Sequence, residues 1–162
     1  MERSLSDTEM AKYFRNIVKY EDLKSLSPEG LLHNLPMVIL YQVGKNYGHW
    51  TMIHRTPEGI EHFDSYSYMP DQEFERLEWK QPHYVAGMLG KLIKGEKINY
   101  NQYVFQGAGE NIATCGRWVI LRHMLNDLTL DQFARGVFGA AKELGESPDQ
   151  LVTETVKLAG EN

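Results

Sequence analysis

The stretch "HWTMIHRTPEGIEHFDSY", residues 49–66, predicts the centre of the fold. Apolar and polar side chains alternate on both sides of "TPEG", and this pattern is typical of two strands joined by a tight turn. If the turn centres on Pro57 and Glu58, antiparallel pairing sets His49 across from residues 64–66. We therefore expect an imidazole and a carboxylate to meet at one end of a β-sheet.

Further strands and helices are predicted around this hairpin. "MVILYQV", residues 37–43, is apolar on both faces and predicts a buried strand, while "KINYNQYVFQ", residues 97–106, alternates and predicts another. Apolar residues at helical spacing predict helices in "DQEFERLE", residues 71–78, and in "YVAGMLGKLIKG", residues 84–95. The chain after Cys115 is expected to be helical throughout.

These elements predict an α+β fold in one domain, residues 1–162, with a small, mostly antiparallel central sheet flanked by helices. A chain of 162 residues is long enough to enclose one hydrophobic core. Capping boxes indicate where three of the helices begin, namely "SDTE" at Ser6, "TLDQ" at Thr129 and "SPDQ" at Ser147.

The amino-acid composition disfavours two classes of partner, nucleic acids and membranes. A net charge of −5 gives no broad attraction to phosphate backbones, so nucleic acid is disfavoured as the main partner. The apolar runs are far shorter than the roughly 20 residues of a membrane span, so we expect no membrane partner. "MERSLSDTEM" lacks the features of a secretory signal, and we expect a protein that is not secreted and works in a reducing compartment.

The sequence contains one cysteine, Cys115 in "TCGRWVILRHML". A single cysteine cannot form an internal disulfide or a Cys-x-x-Cys pair, so it is a buried apolar residue, a lone metal ligand or a nucleophile. At a helix N-terminus the dipole and the free N–H groups favour its thiolate. Asp64 could fix one ring nitrogen of His49 and leave the other free as a base for this nucleophile. Gly116 would let the backbone pass close to a bound substrate carbonyl.

A cysteine nucleophile also requires donors for the developing oxyanion. The backbone N–H of Cys115 and one upstream side-chain amide would suffice. Gln106, at the end of the predicted strand, is the favoured amide donor, and Gln102 is the alternative. The two lie four residues apart, so a strand would present both on the same face.

A zinc site built from His49, His54, His62 and Asp64 is a competing interpretation. Two histidines five residues apart on one strand point to opposite faces, and no further ligand motif completes the set. We therefore predict no metal and no cofactor. His54 and His62 are expected to be exposed residues of the hairpin.

The ordered set "GHW", "FDS", "FQ" and "TCG" resembles the adenovirus maturation protease (adenain) family and the related SUMO-specific proteases. In that family His, Asp or Glu, Gln and Cys follow one another in this order. The resemblance covers roughly residues 35–125 and implies an adenain-like cysteine-protease architecture. It assigns the role of base to His49, of orienting carboxylate to Asp64, of oxyanion donor to Gln106, of nucleophile to Cys115 and of cleft wall to Trp50.

The resemblance implies a cysteine protease that acts on polypeptide substrates, cleaving after small residues such as glycine. The short chain is similar to the proteases of adenoviruses, virophages and large DNA viruses, which trim capsid and core precursors, so the expected location is the virion or the host cytoplasm or nucleus. Two alternatives remain open: a protease that removes ubiquitin or SUMO from conjugates, and a non-catalytic binding module of the same fold. The complete set of four residues favours an enzyme.

Overall fold

The computed structural model describes residues 5–44, 47–72, 87–107 and 113–160. These residues form an α+β fold, as predicted, with helices on both faces of one five-stranded sheet. The strands are β1 (Asn16–Lys19), β2 (Met37–Gly44), β3 (Tyr47–Thr56), β4 (Gly59–Phe63) and β5 (Ile98–Tyr100). The α-helices are α1 (Asp7–Met10), α2 (Pro28–His33), α3 (Met88–Leu92), α4 (Cys115–Met124), α5 (Leu130–Leu144) and α6 (Pro148–Gly160), and a 3-10 helix spans Tyr20–Ser25.

The sheet follows chain order, β1-β2-β3-β4-β5, and it is mixed. The central pairs β2–β3 and β3–β4 are antiparallel, whereas the outer pairs β1–β2 and β4–β5 are parallel. The predicted hairpin is confirmed, because Thr56 pairs with Gly59 and Met52 pairs with Phe63. This register sets the part of β3 that carries His49 beside the chain that leaves β4.

Two apolar layers cover the sheet. On one face, sheet residues such as Trp50 and Phe63 join the core that α4, α5 and α6 complete, and Trp118 of α4 is fully buried there. On the other face, Ile39 and Ile53 pack with residues of the 3-10 helix, α2 and α3. Helix α4 packs directly on β3, so the first residue of α4 lies against the strand that carries His49.

The three predicted capping boxes are present. Ser6 accepts a hydrogen bond from the Glu9 N–H at 3.2 Å, and the Glu9 carboxylate accepts one from the Ser6 N–H at 2.8 Å. The same reciprocal pattern starts α5 at Thr129 and α6 at Ser147. Each box satisfies N–H groups that would otherwise lack a partner at the helix start.

The strand predicted over residues 97–106 is wrong beyond Tyr100. Asn101 bends the chain because its side chain accepts a hydrogen bond from the Tyr103 N–H at 2.8 Å and donates one to the Tyr103 carbonyl at 2.9 Å. Gln102 and Gln106 consequently do not share a strand face. Most of the helix predicted over residues 71–78 lies outside the described residues.

Within the described residues, every helix is too short or too polar to cross a bilayer.

Candidate active site

His49 and Asp64 form a buried pair at one end of the β3–β4 hairpin. His49 Nε2 lies 3.0 Å from Asp64 Oδ1, and the two residues are 4% and 2% exposed. The same carboxylate oxygen accepts a hydrogen bond from the Tyr66 N–H at 2.8 Å, and the Tyr66 ring stacks on His49 with 5.0 Å between ring centroids. The imidazole–carboxylate contact that the hairpin register predicts is therefore present, and Nδ1 remains for another partner.

The surroundings of His49 favour its charged form. Burial by itself lowers the pKa of the imidazole, but the charge of Asp64 and the hydrogen bond to it act in the opposite direction. A side-chain hydrogen bond with Cys115 and the charge of that side chain add to this effect, and the pKa of His49 is raised well above its usual 6.5. Since Asp64 occupies Nε2, Nδ1 is the ring nitrogen available to Cys115.

Cys115 is the first residue of α4. Its Sγ accepts a hydrogen bond from the Trp50 backbone N–H at 3.4 Å, and the residue is 4% exposed. The Thr114 side chain at the N-cap makes no hydrogen bond to the first turn of the helix. The sulfur therefore lies at the positive end of the helix dipole and within hydrogen-bond distance of the Trp50 N–H.

Gly48 allows the close approach that positions His49. A Cβ atom at residue 48 would lie 2.7 Å from the Tyr41 carbonyl oxygen and 2.5 Å from Leu40 Cδ1. Real side chains do not tolerate such distances, so any larger residue would push β3 away from β2. The close packing of β3 on β2 therefore requires the glycine of "GHW", which the sequence pattern alone did not predict.

Trp50 and Gly116 pack against each other beside the cysteine. A Cβ at residue 116 would lie 3.1 Å from Trp50 Cδ1, 3.2 Å from Leu5 Cβ and 3.2 Å from Met10 Sδ. Trp50 is 2% exposed and its Nε1 donates a hydrogen bond to the Leu5 carbonyl at 3.0 Å. The space above Gly116 is thus filled by the protein's own side chains, and contact of Trp50 and Gly116 with substrate stays a prediction.

Gln106 is held by Ser65, the residue that directly follows Asp64 in the chain. The Ser65 carbonyl accepts a hydrogen bond from the Gln106 N–H at 3.1 Å, and Ser65 Oγ donates one to Gln106 Oε1 at 2.7 Å. With Oε1 occupied, the Nε2 group is left to donate. Gln106 is 2% exposed, whereas Gln102 is exposed to solvent, so burial distinguishes two amides that strand alternation could not separate.

Sequence reasoning missed three residues that hold this region together. Ser65 positions Gln106, and Asn101 donates a hydrogen bond to the Asp64 carbonyl at 2.6 Å. Asp149 accepts hydrogen bonds from Gly107 and from Thr114, on the two sides of residues 108–112, which lie outside the described residues. The only sequence signal for Asp149 was its place in the "SPDQ" capping box.

The expectation that His54 and His62 are exposed is wrong, because helical layers cover both faces of the hairpin. Each is 1% exposed. His54 Nε2 lies 2.6 Å from Glu61 Oε2, and Arg122 Nε and Nη2 donate to the two oxygens of Glu61 at 2.9 and 3.1 Å. Strand alternation places this pair on the face opposite to His49. In the part of the chain that the structure describes, no three His, Cys, Asp or Glu side chains form a group that could hold a metal ion.

Fold and geometry together define a class of protein: an α+β domain in which a buried histidine–aspartate pair lies beside a cysteine at a helix N-terminus. The chain is 33% identical over 147 residues to uncharacterized protein V9 of Sputnik virophage, an alignment that covers 86% of this chain and 81% of that protein. It therefore belongs to the same family as this virophage protein. No protein-family model matches the chain. Comparison with solved structures also gives no match.

Proposed function

We propose that this protein is a cysteine protease that cleaves peptide bonds in protein precursors. The observation that carries the proposal is the position of His49 between Asp64, 3.0 Å from Nε2, and the side chain of Cys115. An imidazole whose pKa is raised beside a thiol stabilises a thiolate–imidazolium pair, which is the reactive form of a cysteine nucleophile.

In the proposed reaction the Cys115 thiolate attacks the carbonyl carbon of the scissile peptide bond. The negative charge moves to the carbonyl oxygen, where the Cys115 N–H and Gln106 Nε2 donate hydrogen bonds. His49 gives its proton to the leaving amine as the C–N bond breaks, which leaves a thioester on Cys115. Water then gives a proton to His49 and attacks the thioester, which releases the carboxylic acid and regenerates the thiolate and the imidazolium.

The proposed substrates are structural precursors of a virus particle, and the proposed place of action is the virion or the infected host cell. Two observations support this setting: the family relationship to a virophage protein and the resemblance of the ordered His, Asp, Gln and Cys motifs to adenain. Polypeptides are the partners that this chemistry requires.

Hydrolysis of peptides tests the proposal directly. The wild-type chain and Cys115→Ala are incubated with a random peptide library, and new termini are identified by mass spectrometry. We expect cleavage by the wild type only, with small residues such as glycine before the cut. Parallel incubation with ubiquitin and SUMO conjugates tests the deconjugating alternative. A wild-type protein that cleaves nothing, or a Cys115→Ala variant as active as the wild type, contradicts the proposal.

Alkylation provides a test that needs no substrate. Cys115 is the sole cysteine, so iodoacetamide modifies one site and the rate can be followed on the intact protein. We expect the wild type near neutral pH to react faster than His49→Ala. The truncation opens space around a nearly buried sulfur, so simple access would give the opposite order. If the wild-type rate, followed as the pH is raised, increases only near the pKa of an ordinary thiol, no thiolate–imidazolium pair exists.

A further inference from the structure

One buried carboxylate holds both sides of the chain segment that joins Gln106 to Cys115. Asp149, in the first turn of α6, is 7% exposed. Its Oδ2 accepts a hydrogen bond from the Gly107 N–H at 2.7 Å, and its Oδ1 accepts one from Thr114 Oγ1 at 2.6 Å. Gly107 directly follows Gln106, and Thr114 directly precedes Cys115.

The same carboxylate is tied to α4 by a third contact. Trp118 Nε1 donates a hydrogen bond to Asp149 Oδ1 at 3.1 Å, and Trp118 lies on the first turn of α4, three residues after Cys115. Asp149 therefore connects the backbone that carries the amide donor with the helix that carries the sulfur. Three donors on one buried carboxylate leave little freedom for either side to shift.

Helix capping does not account for these contacts. The N-terminus of α6 is already capped by Ser147 and Gln150, which exchange hydrogen bonds at 2.8 and 3.1 Å. Among the described residues, all three hydrogen-bond partners of the Asp149 carboxylate belong to other segments of the chain. The position of its side chain therefore depends on the region of Gln106 and Cys115 rather than on α6 alone.

We propose that Asp149 is a positioning residue of the proposed protease, which sets the distance between the Gln106 amide and the Cys115 sulfur. This inference rests on the proposed function. Oxyanion stabilisation depends on donors placed within a few tenths of an ångström of the developing charge, and a misplacement of about 1 Å can cost about a hundredfold in rate. Asp149 itself contacts neither substrate nor the reacting atoms.

Asp149→Asn is the test variant, because it keeps the shape of the side chain but turns one acceptor into a donor that faces an N–H or O–H group. Ser147→Ala is the matched control, because it removes the cap of the same helix and leaves the three Asp149 contacts in place. Both variants are measured for thermal midpoint and for kcat and KM on a peptide that the wild type cleaves. We expect Asp149→Asn to lower kcat about tenfold or more with KM nearly unchanged. Ser147→Ala should lower the thermal midpoint and keep the kcat of the wild type.

Two outcomes overturn the inference while leaving the protease intact. Wild-type kcat in Asp149→Asn would show that the carboxylate has no influence on the reaction. An equal loss of kcat in both variants would trace the effect to the stability of α6. A wild-type chain that cleaves no peptide is a different result, because it removes the proposed function and this inference with it.

Discussion

The β3–β4 hairpin carries two buried histidine–carboxylate pairs with opposite electrostatic outcomes. His49 with Asp64 has a pKa raised well above 6.5, whereas burial lowers the pKa of His54 although Glu61 lies 2.6 Å away. The closer carboxylate thus does not prevent the lowering of its histidine's pKa. Burial is the largest influence on both pKa values, and the third member of each group adds to the difference between them.

Arg122 is the third member of the second group, and it binds both oxygens of Glu61. The guanidinium neutralises the carboxylate and repels an imidazolium, so Arg122 lowers the pKa of His54 further. Cys115 takes the corresponding place beside His49, where its charge raises the histidine pKa. The two groups therefore differ in whether a fixed cation binds the carboxylate, and in the proposed function only His49 acts as a base for a nucleophile.

Truncation of His49 and of His54 should give the largest difference in catalytic activity between two variants. We expect His49→Ala to reduce kcat/KM on a cleaved peptide by about 10⁴-fold, since it removes both the base and the partner of the thiolate. His54→Ala should lower the thermal midpoint yet keep kcat within about twofold, because it changes only the structural pair. Comparable losses of activity in the two variants would contradict the division into a catalytic and a structural pair.

Removing the cation from the second group should cost stability rather than activity. Arg122→Met leaves Glu61 buried without its guanidinium, and breaking a buried ion pair in this way costs about 3–5 kcal/mol. Urea unfolding measures the loss. The control is Arg55→Met, because Arg55 is exposed on the same hairpin and a surface change of this kind shifts stability by about 0.5 kcal/mol or less. Similar unfolding free energies for the two variants would show that the buried pair contributes little.

The first pair could be predicted from sequence and the second could not. Alternation on either side of a short turn fixes the hairpin register, and the register brings His49 to Asp64. The same alternation places His54 opposite Glu61, but nothing local indicates that α4 covers that face. Arg122 reaches Glu61 from 61 residues away, and such a contact depends on how the helices pack.

The loop before α4 shows a second limit of sequence reasoning. Alternating residues in "KINYNQYVFQ" predict a strand, yet the hydrogen bonds of the Asn101 side chain end the strand at Tyr100. Side-chain bonds of this kind compete with strand pairing, and residue periodicity does not register them. For the same reason, the sequence pattern does not predict that Ser65 positions Gln106.

Substitution of Gln106 and of Gln102 tests whether the reaction depends on the buried side-chain amide of Gln106. Gln106→Ala should raise the barrier by about 3 kcal/mol, or roughly a hundredfold or more in kcat, with KM nearly unchanged, since the amide acts on charge that develops during the reaction. Gln102→Ala should have a mild effect because that side chain is exposed. Steady-state kinetics on one cleaved peptide separates them. The reverse pattern would move the oxyanion site to Gln102, and small effects from both would leave backbone donors alone in that role.

His62 shows how burial changes a histidine pKa where no carboxylate of the described residues is hydrogen-bonded to the ring. Neither of its ring nitrogens has a hydrogen-bond partner in the described structure, and burial lowers its pKa from 6.5 to about 4. The folded protein then binds fewer protons than the unfolded chain between pH 6.5 and 4, so His62 stabilises the fold above pH 6.5 and this contribution is lost as the pH falls toward 4.

The pH dependence of unfolding measures this contribution. We expect the free energy of unfolding in urea to fall between pH 7 and pH 4.5 by about 2–3 kcal/mol more in the wild type than in His62→Phe, which fills the same space and cannot be protonated. His49, whose pKa is raised, contributes with the opposite sign: its stabilisation is present at low pH and is lost as the pH rises through its folded pKa. Because each protein is compared with itself at two pH values, any packing cost of the phenylalanine cancels. Equal losses in the two proteins would mean that His62 is protonated in the folded state as readily as in the unfolded chain.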